Sequence, residues 1–262
     1  MKIISNAQLI DFDEKIMSSD GWLMGSGIFE TIKTVDGSAW ALSRHMRRAL
    51  NSAARLGITL PSEEVLRASI QDLLSAEPHK TGALRVSFDS EGNWAAFHNA
   101  YVEKVDPARL SVEEEVQVIS GTPLKTFPYS HRLDILNRAN AKGYDEAIVV
   151  NSQNKLCEGS VTNLLLKIDD TWCTPPISDG VLPGVMRALV VEYLSVQVRS
   201  IHVDEIPQIQ SAFLLSSLRI AQPVASIQGR ELTQSDGFAA EIRAMALRTS
   251  VGEDHGTDIY YR

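Results

Sequence analysis

Residues Lys125 to Asn163 read KTFPYSHRLDILNRANAKGYDEAIVVNSQNKLCEGSVTN, and the reading of this stretch decides the fold. Its pattern changes period twice. Arg132 to Lys142 is spaced as a helix, and Gly143 closes it. Glu146 to Val150 is a short apolar run, the signature of a buried strand. The polar turn Ser152-Gln153-Asn154 leads into Lys155 to Glu158, and Val161 to Ile168 supplies the next strand. The first residue carries chemistry of its own. Lys125 follows Thr122, Pro123 and Leu124 and precedes Phe127 and Pro128, so its neighbours are apolar or conformationally stiff. A lysine in such surroundings can lose its proton and attack an aldehyde. A single lysine is more often a solvated surface group, so the residues around it must decide.

The same alternation extends in both directions. Upstream, SGIFETIKT and SAWAL read as strands joined at Val35-Asp36-Gly37, where Asp-Gly signals a tight hairpin. A helix begins near Ser43, with Met46, Leu50, Ala53 and Leu56 on one face and Gly57 as its stop. A second starts at Ser62, with Glu63 and Glu64 in its first turn and Val65, Leu66, Ile70, Leu73 and Leu74 as its buried face. Ala83 to Phe88 returns to a strand, as do Val116 to Ser120 and Phe213 to Ser216. Pro183-Gly184-Val185-Met186-Arg187 opens a helix that runs through Leu189, Val190 and Tyr193, and Phe238 to Leu247 forms a closing one. Strands alternating with helices favour an α/β or α+β class. Gly and Pro interrupt the pattern at Gly121 to Lys125, which places a domain boundary there.

Composition removes several function classes. With 262 residues and 44% hydrophobic content, the chain can bury the core of one large domain or two smaller ones. A formal net charge of -8 argues against nucleic acid, whose phosphates need concentrated positive charge. MKIISNAQLIDFDEK meets acidic residues before an apolar run can build a signal-peptide core, and no apolar stretch approaches a membrane span. The expectation is a soluble cytoplasmic protein without a membrane partner. Cys157 and Cys173 have no metal-ligand spacing and are expected as free thiols.

Six segments in a shared order carry a family resemblance: Gly25 to Gly37 (GSGIFETIKTVDG), His45 to Gly57 (HMRRALNSAARLG), the Lys125 segment, Tyr144 to Leu166, Thr174 to Arg187 (TPPISDGVLPGVMR) and Ser216 to Val224 (SSLRIAQPV). The chain resembles the class IV aminotransferases, the fold-type IV pyridoxal-phosphate enzymes that include branched-chain aminotransferases, D-amino-acid aminotransferases and 4-amino-4-deoxychorismate lyases. The resemblance implies an α+β protein with two α/β-type domains. Residues 1–120 would form the smaller N-terminal domain, and residues 121–262 the cofactor-binding domain with the linker. It also implies pyridoxal 5'-phosphate as cofactor and a homodimer.

By the same resemblance, Lys125 would form the Schiff base with the cofactor and shuttle the proton at the substrate carbon. Lys142 competes with it, but sits at a helix end where a solvated charge is natural. Glu158 in the Cys157-Glu158-Gly159-Ser160 turn would bind the pyridine nitrogen and favour its protonated form. Asn163 would organise that turn. Arg48, chosen over Arg44 and Arg47 by the HMRR match, would meet the phosphate together with Ser217 and the backbone N–H groups of Val185 and Met186 at a helix start. Tyr129 is a candidate for the cofactor's phenolate oxygen, with ordinary packing as the alternative. Arg219 is a candidate for a substrate carboxylate or a surface arginine. Met24 stands where relatives often carry an aromatic residue, and Met186 replaces a common threonine.

Three functional readings stay open. The first is an aminotransferase acting on an amino acid or an amino-bearing small carboxylic acid. The second is a lyase releasing pyruvate and 4-aminobenzoate from 4-amino-4-deoxychorismate, favoured by chain length and the FET and SSLR segments. Against it, SFDSEGNWAAFH (Ser87 to His98) lacks a glycine- and arginine-rich loop. The third, a non-catalytic cofactor-binding protein, fits poorly with the presence of both Lys125 and Glu158. A Cys157–His131 hydrolase has no identifiable orienting partner.

Overall fold

The computed structural model describes residues 1–19, 21–117 and 122–249, with the backbone alone for 114–117. The chain forms two compact units, and it does not divide between them at a single point. The first holds Met1–Glu103 and Leu124–Tyr129; the second takes up the chain at Lys104 and again from Ser130 to Thr249. The crossing therefore precedes the expected boundary at 120/121, and a six-residue segment containing Lys125 returns to the first unit.

In the first unit, strands β1 (Lys2–Ser5), β2 (Gln8–Asp11), β3 (Gly27–Val35), β4 (Ser38–Ala39), β5 (Thr81–Asp89) and β6 (Trp94–Ala100) run antiparallel in the order β2-β1-β6-β5-β3-β4. Strand β7 (Ala108–Gln117) belongs to the second unit, whereas β8 (Thr126–Phe127) pairs with the start of β3, Gly27 opposite Phe127 and Ile28 opposite Thr126. One sheet face presents Ile28, Ile32, Leu84 and Val86 to helices α1 (Leu42–Leu56) and α2 (Glu63–Ala76). The other presents Phe29, Ala95 and Phe97 to Met17, Leu23 and Phe127. Side chains alternate along a strand, so β3 is covered on both faces and its sequence reads as nearly continuous burial.

The local signals behave as their chemistry requires at several points. Ser62 caps α2 by accepting from the Val65 N–H, and Gly57 closes α1 at φ 69°. The expected α1 face does not hold. Leu50 and Leu56 are exposed, while Arg44, His45 and Arg48 are buried with Met46, Ala49 and Ala53. Glu30, which projects from the helix-facing side of β3, draws His45 and Arg48 inward. Val65 of α2 is likewise exposed. SAWAL is strand only at Ser38–Ala39, because Ala41 turns left-handed at φ 50° and starts α1.

The second unit contains α3 (Ser130–Ala141), β9 (Glu146–Asn151), β10 (Leu156–Gly159), β11 (Asn163–Ile168), β12 (Thr171–Thr174), α4 (Val185–Tyr193), β13 (Gln197–Val198), β14 (Ile209–Ser216), β15 (Ile220–Ile227), β16 (Arg230–Glu231) and α5 (Asp236–Arg248). Its sheet runs β10-β9-β7-β15-β14-β11-β12-β13, with β16 on β15. Strand β7 is parallel to both β9 and β15, which embeds it in the sheet. The strand expected at Val116 to Ser120 overlaps the end of β7, and residues 118–120 lie outside the described residues. Leu110, Ile148, Leu164, Leu166, Leu214 and Val224 build the core, and Ile135 and Ala139 of α3 cover Ala147 and Val149 of β9. Among the described residues no helix is long and apolar enough to cross a membrane.

Candidate functional site

Lys125 is fixed by its backbone before its side chain does anything. Its carbonyl accepts from the Phe29 N–H at 2.9 Å, one residue before β8 joins β3. The half-buried side chain then lies over two aromatic faces, with Nζ 4.4 Å from the Phe29 ring centroid and 5.0 Å from that of Tyr129. These rings continue into Trp22, edge-on to Phe29 at 4.8 Å, and the Arg85 guanidinium lies 3.9 Å over Trp22. The amine therefore sits on an aromatic wall inside the first unit.

On the helix side of the same sheet, Glu30 is buried among charged partners. Arg48 donates Nε to Oε1 at 2.8 Å and Nη2 to Oε2 at 2.5 Å, a two-pronged guanidinium–carboxylate pair. His45 Nδ1 lies 2.7 Å from Oε2; since the carboxylate only accepts, Nδ1 carries the hydrogen. Burial pushes the Glu30 carboxyl up, but Arg48 and His45 outweigh it and hold it down at about 2. Burial pushes His45 down, reinforced by the charges of Arg48 and Lys125 against the pull of Glu30, so the ring is neutral.

In the second unit a different carboxylate is held by three elements. Glu158, at the end of β10, receives Arg132 Nη2 from α3 at 2.5 Å on Oε1. Its Oε2 accepts from Asn163 Nδ2 on β11 and from the Leu182 N–H, each at 3.0 Å. Asn163 also donates to the Leu182 carbonyl at 3.0 Å, tying the strand to the loop that enters α4. That loop ends at Gly184, where a Cβ would lie 1.8 Å from Asn163 Oδ1; only glycine fits. Gly184 caps α4 without a side-chain hydrogen bond, and the side chains of Val185 and Met186 are buried. Behind them, Arg187 is wholly buried and donates to the Pro175 carbonyl through Nε at 3.3 Å and Nη2 at 2.8 Å; burial lowers its pKa to about 10. Burial, with the charges of Glu158 and Asp179, pushes the Cys157 thiol up to about 12, so it remains protonated. Both cysteines are free thiols.

The structure brings the expected residues together in two groups. Lys125 and Tyr129 share the aromatic wall, while Glu158 and Asn163 share direct hydrogen bonds. Arg48 has Glu30 as a bidentate partner, and Arg44, set aside in favour of Arg48, is buried as well. Arg219 is no surface group: it is 7% exposed, reaches Glu146 through Nη2 at 2.8 Å and donates to Gln222 at 3.1 Å. Ser217 follows β14 and is largely buried, and Met24 is exposed. Lys142 pairs with Glu113 at the surface, as its helix-end position implies. Sequence reasoning missed Arg132, Trp22, Phe29 and the Leu182 N–H. Arg132 and Glu158 lie 26 residues apart, and no spacing rule signals that pair.

Comparison with known proteins converges on one family. The family model for amino-transferase class IV matches residues 27–227. D-alanine aminotransferase of Bacillus licheniformis is 22% identical over 257 residues, covering 88% of this chain and 90% of its own. Aminodeoxychorismate lyase of Bacillus subtilis (strain 168) is 25% identical over 213 residues, covering 72% of each. The crystal structure of the branched-chain aminotransferase from the archaeon Thermoproteus uzoniensis with norvaline superposes with a TM-score of 0.83 at 22% identity over 97% of both chains. The α+β architecture is that of the fold-type IV enzymes. With the family match running from β3 to the end of β15, and the Lys125 and Glu158 segments both inside it, the chain belongs to the class IV amino-transferase family.

Proposed function

We propose that this protein uses pyridoxal 5'-phosphate to transfer an amino group between an amino acid, or an amino-bearing small carboxylic acid, and a 2-oxo acid. The observation that carries the reading is the Lys125 amine held against Phe29 and Tyr129. Pyridoxal phosphate, when bound, supplies an aldehyde that captures an amine and a ring that withdraws electrons from the substrate carbon. The residues present fit such a group. Glu158 is a buried carboxylate oriented by three donors, suited to a ring nitrogen. The close approach of Gly184 to Asn163 brings the N–H groups of Val185 and Met186 to a helix start that has no side-chain cap, suited to phosphate together with the Ser217 hydroxyl. Arg48 would serve the phosphate while remaining bonded to Glu30, and Tyr129 would offer its phenol near the Lys125 amine.

Lys125 Nζ would accept the proton from the substrate carbon that bears the amine and hold it for return. The rings of Phe29 and Tyr129 hold the amine in place. Arg219 supports Glu146 and the Ser216 turn, so the substrate-side expectation falls on exposed Met24. The resemblance further supports a cytoplasmic homodimer as the working form. A second reading, release of pyruvate and 4-aminobenzoate, is favoured by the likeness to the Bacillus subtilis lyase.

The test uses purified holoenzyme with an amino-acid panel plus 2-oxo acids and, separately, with 4-amino-4-deoxychorismate. Amino transfer to the 2-oxo acid is the expected result. Release of 4-aminobenzoate with no acceptor, and no transfer, overturns the aminotransferase reading in favour of the lyase. Lys125→Ala is expected to lose the visible Schiff-base absorbance and to slow turnover by about a thousandfold or more. Unchanged absorbance removes Lys125 from its role.

A further inference from the structure

The pairing of Arg132 with Glu158 is the feature that the proposed chemistry does not require. A carboxylate facing a ring nitrogen raises the proton affinity of that nitrogen because its negative charge is uncompensated. Here the same carboxylate is met by a guanidinium at 2.5 Å, with the two side chains only 12% and 5% exposed. Water screens charges weakly at such burial. The geometry of the carboxylate sharpens the conflict. Oε2 already accepts from Asn163 Nδ2 and the Leu182 N–H, the number its two lone pairs serve. A ring N–H is thereby directed to Oε1, the oxygen that Arg132 holds.

We infer that Arg132 is a positioning residue that shares the Glu158 carboxylate with the cofactor's ring nitrogen and weakens the carboxylate's hold on the proton there. The inference rests on the reading of Glu158 as the ring-nitrogen partner. Other charged groups lie around Glu158 as well. Arg187 on α4 feels the Glu158 charge while donating to the Pro175 carbonyl, Asp179 is paired with Lys155 at 3.1 Å, and Cys157 is a neutral thiol. Arg132 reaches the carboxylate directly from the first turn of α3 at 2.5 Å, and Asn163 from β11 is uncharged. The ring nitrogen then sits beside a carboxylate whose charge is partly answered, and it releases its proton at lower pH than it would beside Glu158 alone.

The experiment reconstitutes wild type, Arg132→Gln, Arg132→Lys and Glu158→Gln with cofactor labelled with nitrogen-15 in the ring, and follows the ring-nitrogen resonance against pH. The expected midpoints rise in the order wild type, Arg132→Lys, Arg132→Gln, with the glutamine variant up by about one pH unit or more. A purely structural role at the start of α3 predicts weaker cofactor binding with the midpoint unmoved, and that result overturns the inference. Should Arg132→Gln fail to fold, Arg132→Lys decides. Its shorter reach withdraws the charge from Oε1, so a rise of a few tenths of a pH unit supports the inference and no rise overturns it. Glu158→Gln separates the two levels. A resonance that titrates as in wild type in this variant removes Glu158 as ring partner and the inference with it. A changed Glu158→Gln with unchanged Arg132 variants removes the inference alone.

Discussion

Glu30 and Glu158 are both buried carboxylates paired with arginine, yet they are built differently. Glu30 takes its partners from one helix: Arg48 fills both oxygens and His45 adds a third bond, three residues apart on α1. Glu158 takes its partners from three places, α3, β11 and the loop before α4. A carboxylate satisfied by one helix fastens that helix to its strand. One satisfied from three directions has its own orientation fixed, which is what a group that meets a ligand needs.

Breaking the first carboxylate has the largest effect. Glu30→Ala leaves Arg48 buried without its charge partner and is expected to cost about 3–5 kcal/mol, read by denaturant unfolding. A loss under about 1 kcal/mol erases the distinction between the two sites.

Acid titration sharpens the same contrast. The Glu30 carboxyl is depressed from 4.5 to about 2, so its stabilising effect is complete above pH 4.5 and is lost as pH falls toward 2. His45 is depressed from 6.5 and stays neutral when folded. The unfolded chain takes up that proton first, so stability begins to fall as pH drops through 6.5. Melting temperature against pH is expected to show both legs, and Glu30→Gln to lose the lower one. A glutamine variant with the lower leg intact assigns it to other carboxylates.

Gly184→Ala is the smallest perturbation and acts on the second carboxylate. The added methyl meets Asn163 Oδ1 and displaces the side chain that holds Glu158 and Leu182. The expected cost is about 1–3 kcal/mol in stability, with cofactor affinity down about tenfold or more. Cofactor affinity equal to wild type separates Asn163 from the site.

The two carboxylates also show what a sequence exposes. Strands β3, β5, β9 and β11 were legible because their apolar runs end in turn residues, and the stops at Gly57 and Gly143 are matters of local backbone. Strand β6 was not, because five consecutive buried residues, Trp94 to His98, show no alternation and two are small alanines. Strand β15 carries Pro223 inside it, which reads as a break. The α1 face was misread for an electrostatic reason, since a periodicity built on apolar residues cannot foresee that Glu30, twelve positions upstream of the helix, draws His45 and Arg48 inward. Lys125 and Glu158 were singled out from their segments. The companions that orient Glu158 were only partly found, since Asn163 lies within the recognised motif and Arg132 is joined to it only by the fold.

The two-residue strand β8 has a consequence for how the lysine is kept. The outer edge of β3 is covered in two pieces, β4 over Thr34 and Val35 and β8 over Gly27 and Ile28. Residues 1–103 alone lack the second piece. A fragment ending there would present bare backbone donors and acceptors at Gly27 to Phe29, a template for pairing with another chain. The segment that delivers the Lys125 amine is therefore also the guard on an aggregation-prone edge, and insertions or deletions there would be selected against twice, once by chemistry and once by solubility.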